Sequence, residues 1–425
     1  MYYIRVQATD NVLDTGNSEP LVSLASATFV YDIQHPTATI AVPVNNEYYN
    51  GSSQPLPSIS GAALDEGLIS RVDSVVFSIR ETGTGLYWDY NASTFNSAGE
   101  LFNNMNFIAG PDVWASTRPA LTDGYNYELR LQATDLATNA QPLGSFTNFT
   151  YDISSPTTRI TLPVDGAKLI SLPTISGTVS DSIGLGGIET VELAIRVDTG
   201  TWYSGVSETF DAGGETFFTA KTTNSYQTWF ATGIPFVSGH EYWVKSRSTD
   251  KATNEEDNFV VSVNTITFTF DSDKPESRVT FPDGTEVRST ISQITGTASD
   301  GKAGVDRVYV SVGQLVGLTT SYFNGAGFNA ATEYFNLTNW SGSDPWTYNT
   351  AIPYASGLKY MLRSYAVDEA GNVETALPAQ IEVYYDVTKP TTTIYEPGQA
   401  SFISAMSQVK GTAYDKTAEV ESLLA

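Results

Sequence analysis

The residues able to do chemistry in this chain are few in kind. It has two histidines, no cysteine, and 47 acidic against 22 basic residues, a formal net charge of −25 over 425 residues. Thiol catalysis, structural disulfides and zinc–thiolate sites are therefore excluded. His35 stands beside Pro36 and His240 beside Gly239, and neither position returns as histidine in the repeats described below. A Ser-His-Asp arrangement thus has no support. No glycine-rich phosphate loop follows a strand and opens a helix. With so many acids some carboxylate pair always looks suggestive, so pairing alone identifies no general acid. The polar residues that do recur at fixed spacing are Asp135 and Asn139, Asp250 and Asn254, and Asp368 and Asn372. Aspartate opening a tight turn, with asparagine or glycine in its left-handed position, is ordinary hairpin chemistry. None of these runs fits the spaced EF-hand loop, and Asp271-Ser272-Asp273 comes nearest. No enzyme is expected.

The elements that must position these residues repeat. Tyr31-Asp32-Ile33-Gln34-His35-Pro36 returns as Tyr151 to Pro156, Phe270 to Pro275 and Tyr385 to Pro390, at steps of 120, 119 and 115 residues. So long a period means tandem copies of one domain. Within each copy a late run alternates apolar and polar residues: Tyr127 to Asp135, Tyr242 to Asp250, Tyr360 to Asp368, with Tyr2 to Asp10 matching them. Such alternation predicts a strand with one buried face. An early marker, Ile59-Ser60-Gly61 running to Asp65, returns as Ile175-Ser176-Gly177 to Asp181, Ile294-Thr295-Gly296 to Asp300, and Val409-Lys410-Gly411 to Asp415. Alternating runs follow it at 72–79, 188–195 and 305–312. The predicted divisions are a C-terminal fragment over 1–30, complete domains over 31–150, 151–269 and 270–384, and an N-terminal fragment over 385–425. The final copy is expected to stop inside its alternating run at Leu423-Leu424-Ala425, so the chain reads as a segment of a longer one.

Aromatic residues make up 12 %, with 24 Tyr, 20 Phe and 7 Trp. With plentiful Val, Ile and Thr, this composition favours strands. About seven short strands per copy are expected, split by Gly, Asn and Ser, giving an all-β two-sheet antiparallel sandwich. The middle of each copy is aromatic: Tyr87-Trp88 and Trp114, then Trp202-Tyr203 and Trp229-Phe230, then Tyr322-Phe323, Trp340 and Trp346. Trp88 and Trp202 are expected to sit alike. Core packing is the first reading of these rings, and a glycan-stacking platform the second. Asn50, Asn91, Asn148, Asn336 and Asn339 open Asn-x-Ser/Thr triplets and would mark surface loops if glycosylated. The acid excess disfavours nucleic acid and anionic membrane surfaces. No apolar run approaches the roughly 18 residues of a membrane span, and Met1-Tyr2-Tyr3-Ile4-Arg5 does not open like a signal peptide.

The late marker carries a resemblance. Leu121-x-x-Gly124-x-x-Tyr127, Phe236-x-x-Gly239-x-x-Tyr242 and Tyr354-x-x-Gly357-x-x-Tyr360 resemble the tyrosine corner of immunoglobulin-like and fibronectin type III sandwiches. The strand endings Asp135 to Asn139, Asp250 to Asn254 and Asp368 to Asn372, followed by the Tyr-Asp marker, are similar to bacterial Ig-like repeats of large surface adhesins. The first fragment departs, its Asp10 to Asn17 turn carrying two extra residues. The resemblance implies tandem Ig-like domains in an extended array, at the cell surface or outside the cell, with neighbouring domains of a longer chain as partners. It also implies calcium between successive domains, for which carboxylates, amides and carbonyls are suitable oxygens. The ligands so implied are Asp135, Asn139 and Asp152, with Asp181 near, at the first complete joint. At the second they are Asp250, Asn254, Asp271 and Asp273, and Asp368, Asn372 and Asp386 continue the pattern. Turn chemistry without metal remains the other reading. Three functions are open: a non-catalytic structural or adhesive stalk, a self-associating filament or sheath subunit completed by strand addition, and a glycan-binding accessory region.

Overall fold

A computed structural model describes residues 1–11, 18, 20, 25–65, 71–104, 113–181, 187–284 and 287–415. The turn at 12–17 and the terminal Leu423 to Ala425 lie outside the described residues. The second copy illustrates the architecture. An opening strand, Thr157–Leu162, pairs with a glycine strand, Thr174–Ser180, which pairs with a tryptophan strand, Thr228–Thr232, in a four-stranded sheet. Facing it is a seven-stranded sheet. There an edge strand, Ala167–Leu169, runs parallel to the closing strand, Thr265–Phe270. The closing strand pairs antiparallel with the corner strand, His240–Asp250, and that with the central strand, Ile188–Val197. The hairpin of Trp202–Ser204 and Thr209–Ala212 extends the sheet. The first and third copies repeat this order. The sheets hold more pieces than the seven strands expected, because the loosely patterned middle breaks into a hairpin and short pairings such as Phe218–Thr219. These are immunoglobulin-like sandwiches by topology. At the ends, Tyr2–Val6 pairs with Ala25–Phe29, and Thr391–Glu396 with Lys410–Tyr414.

Alternation directs the packing. In His240–Asp250, Tyr242, Val244, Ser246, Ser248 and Asp250 point inward, as every second residue of a pleated strand must. The glycine marker answers to two close neighbours, the facing carbonyl oxygen of Thr39, Arg159 or Arg278 and a tryptophan ring. Trp114, Trp229 and Trp346, all fully buried, lay their six-membered rings against Gly61, Gly177 and Gly296, and donate their indole N–H to Ala62, Thr178 and Thr297 carbonyls at 3.1, 3.0 and 3.2 Å. Trp88 is also buried, against Phe95. Trp202 does not sit as Trp88 does. Tyr203 fills the Trp88 position against Phe210, and Trp202 faces outward, edge-on to Trp243 with Arg196 over both rings at 5.5 and 5.6 Å. A one-residue offset in a strand exchanges the two faces.

The expected tyrosine corners form. Tyr127, Tyr242 and Tyr360 hydroxyls accept the backbone N–H of Thr122, Val237 and Ala355 at 2.7, 2.8 and 2.7 Å. Tyr242→Phe should destabilise the second domain by about 1–2 kcal/mol, since the Val237 N–H loses its buried acceptor; a chemical-denaturation midpoint unmoved from that of the unchanged chain would refute this. A tie legible only in three dimensions repeats as well. Three residues past each corner tyrosine, Arg130, Lys245 and Arg363 pair across the outer sheet face with Glu100, Glu215 and Glu333. Of the Asn-x-Ser/Thr triplets, Asn50 and Asn336 are buried, 2 % and 8 % exposed, so neither marks an accessible loop.

Candidate metal centre

Each domain gathers three aspartates at the pole where the chain enters it: Asp32, Asp65 and Asp135; Asp152, Asp181 and Asp250; Asp271, Asp300 and Asp368. In every group one carboxylate oxygen from each residue lies within 4.8 Å of the other two. The first residue of each triad lies in the linker, the second follows the glycine strand, and the third ends the corner strand.

Linker and domain are stitched around this point. The linker residues Asp152 and Asp271 donate their N–H to the edge-strand carbonyls of Tyr49 and Leu169 in the preceding domain, both at 2.9 Å. Their carboxylates accept the N–H two residues on, from Ser154 at 3.1 Å and Asp273 at 3.0 Å, an Asx turn. The strand-end carboxylate of Asp250 accepts the N–H and the side-chain amide of Asn254, each at 2.8 Å. That amide also reaches the Asp152 carbonyl at 3.0 Å. Asn139 bonds Asp135 and the Asp32 carbonyl in the same way, and Asn372 bonds Asp368 and the Asp271 carbonyl.

The sequence reading joined each linker acid to the wrong neighbour. Asp135 and Asn139 meet Asp32, not Asp152, and Asp250 and Asn254 meet Asp152, not Asp271. Antiparallel pairing is the reason. His240 at the start of the corner strand sits opposite Phe270 at the end of the closing strand. Asp250, ten residues further on at about 3.4 Å each, is therefore at the far pole, where the chain came in. The asparagines act as braces, donating to the carboxylates. Asp273 stands outside the triad, accepting the Ser238 hydroxyl at 2.9 Å. Asp386 makes the same Asx turn, to Thr388 at 2.8 Å, and belongs to no triad among the described residues. Asp65 and Asp300 complete two of the triads although the sequence alone did not single them out; their place at the end of the early marker was the available signal.

Three carboxylates this close oppose one another's ionisation. Burial first, and then the charge of Asp181, push Asp152, itself 0 % exposed, up to about 7. Burial likewise raises Asp250 and Asp300. In Asp300 one oxygen accepts the Gly304 N–H at 2.8 Å, while the other is buried without a hydrogen-bond partner. A group whose folded pKa exceeds its unfolded value, about 3.9 for aspartate, stabilises while protonated in the fold. Without metal, the triads' contribution to stability should therefore be greatest below about pH 4 and be lost as pH rises toward 7. Thermal midpoints of the second domain in chelator across that range check this, and a rise toward 7 would contradict it.

No family model matches this chain, and no curated protein matches it. Among solved structures it is similar to the fibronectin(III)-like modules of Clostridium thermocellum CbhA, at 14 % identity and a TM-score of 0.25, over 55 % of this chain and 94 % of that one. It is also similar to the dimeric latent PorU of Porphyromonas gingivalis, at 12 % identity and a TM-score of 0.17, over 83 % of this chain and 34 % of that one.

Proposed function

We propose that this chain is a non-catalytic stalk of Ig-like domains in a longer extracellular or cell-surface protein, stiffened by calcium held at each triad. The supporting observation is the triad itself, repeated three times at the one place where linker and domain meet. The donors fit the ion: all are hard oxygens, with no imidazole or thiolate, and one buried Asp300 oxygen lacks a proton donor. Bound calcium would supply positive charge that lets three adjoining carboxylates ionise together. In the second domain Asp152, Asp181 and Asp250 would hold it while Asn254 fixes the Asp152 backbone. A cation seated there ties the linker to the glycine and corner strands, which removes hinge freedom. The tryptophans favour this reading over glycan binding, since Trp88, Trp114, Trp229 and Trp346 are core residues and Trp202 is covered by Arg196.

Small-angle scattering with calcium and then with excess chelator tests the proposal. The stalk reading expects a rod that becomes flexible on chelation. A profile indifferent to calcium returns these acids to turn chemistry, and domains folded back on one another would end the stalk reading.

A further inference from the structure

The two complete joints are built at the same place from different chemistry. At the first, Asn50 of the first domain is buried and its side-chain amide donates to the Ala252 carbonyl of the second at 2.6 Å and to the Thr253 hydroxyl at 3.2 Å. Ser53 meets the same hydroxyl at 2.5 Å. Ala252 is itself fully buried. The Asn50 carboxamide is held from its own side too, its oxygen accepting the N–H of Ser52 and Gln54, both at 2.8 Å. Beside this neutral latch, Lys251 lies over the Tyr48 ring at 5.5 Å.

Tyr48 and Lys168 hold equivalent places, paired with the penultimate residues of the closing strands, Thr150 and Thr269. Lys251 and Glu369 are likewise equivalent, each following a strand-end aspartate. At the second joint this position becomes an ion pair, Lys168 with Glu369, the side chains 32 % and 48 % exposed. Lys168 also donates to the Ala303 carbonyl at 2.7 Å.

We propose that the joints are keyed at this one position, the first by neutral hydrogen bonds centred on the buried Asn50 amide and the second by exposed charges, so that salt loosens the second joint and leaves the first fixed. Neutral hydrogen bonds have no charge to screen. Between exposed charges the screening length falls from about 10 Å at 0.1 M salt to about 3 Å at 1 M. The inference does not depend on calcium, because none of the contacts it uses involves a triad carboxylate.

The absence of cysteine makes the test direct. Spin labels at Asn91→Cys with Val206→Cys span the first joint, and at Val206→Cys with Leu318→Cys the second; all three sites are exposed. Distance distributions are recorded in about 0.1 M and 1 M potassium chloride, with calcium and with chelator. The expected result is loss of the narrow component at the second joint in high salt, in both media, and an unchanged first joint. Glu369→Gln should make the second joint indifferent to salt, and Thr253→Ala should broaden the first at both salt levels. Equal responses at the two joints, no response at either, or a salt response surviving in the Glu369→Gln variant would each overturn the proposal. A response confined to chelator would assign it to the triads and overturn it equally, while leaving the calcium reading intact.

Discussion

Gly177→Ala is expected to unfold the second domain while its neighbours stay folded. A β-carbon there would sit 2.1 Å from the Arg159 carbonyl oxygen and 2.1 Å from the Trp229 ring. Neither can give way. The oxygen belongs to the opening strand paired across from it, and the ring is fully buried with its N–H tied to Thr178. Overpacking a closed core costs about 1–3 kcal/mol when side chains can shift. Here main chain must move and the indole must be displaced, and losing a buried tryptophan costs about 3–5 kcal/mol. The sum approaches the whole stability of a small domain. Calorimetry should show the transition of one domain lost and the others retained. Trp229→Leu added to Gly177→Ala should not restore it, because the Arg159 oxygen remains in the way. Recovery in that double variant would mean the ring alone explains the glycine.

Asp250→Ala should abolish calcium stabilisation of the second domain alone. A ligand that binds only the folded state stabilises by about 2.7 kcal/mol at a hundred times its dissociation constant. On the calcium reading each of the three domains gains by this amount, so removing one strand-end carboxylate should leave calcium raising only two of three transitions. The variant also loses the acceptor for Asn254 and so starts from a lower midpoint in chelator. Asp250→Asn keeps most of that turn and reduces the ligand charge. Transitions in Asp250→Asn that rise with calcium as in the unchanged chain would remove Asp250 from the site.

Much of the fold was legible because its signals are local. Alternation located the central and corner strands, which extend slightly beyond the expected runs, to Glu81, Val197 and Val316. The tyrosine spacing gave the corner because the hydrogen bond spans only five residues. What failed was non-local. Which linker acid meets which strand-end acid depends on the pole at which each strand finishes, and a tandem repeat offers two equivalent answers in sequence. The inward or outward sense of Trp202 turned on a one-residue offset within an aromatic pair. The reason for Gly177 lay in two non-local neighbours, the Trp229 ring some fifty residues on and the Arg159 carbonyl oxygen across the sheet.

The short edge strand carries one more consequence. Ala167–Leu169 runs parallel to Thr265–Phe270, as Glu47–Tyr49 does to Thr147–Tyr151 and Val287–Arg288 to Ile381–Tyr385. The edge strand follows the opening strand and ends beside the exit, where the Asp271 N–H meets the Leu169 carbonyl, and the closing strand leads directly out. Pulling on the two ends of a domain therefore drags these parallel strands past each other. Their hydrogen bonds are loaded together in shear instead of being unzipped one by one. Resistance to tension then rests on a patch of two or three residues per domain, set by its unfolding rate and not by its equilibrium stability.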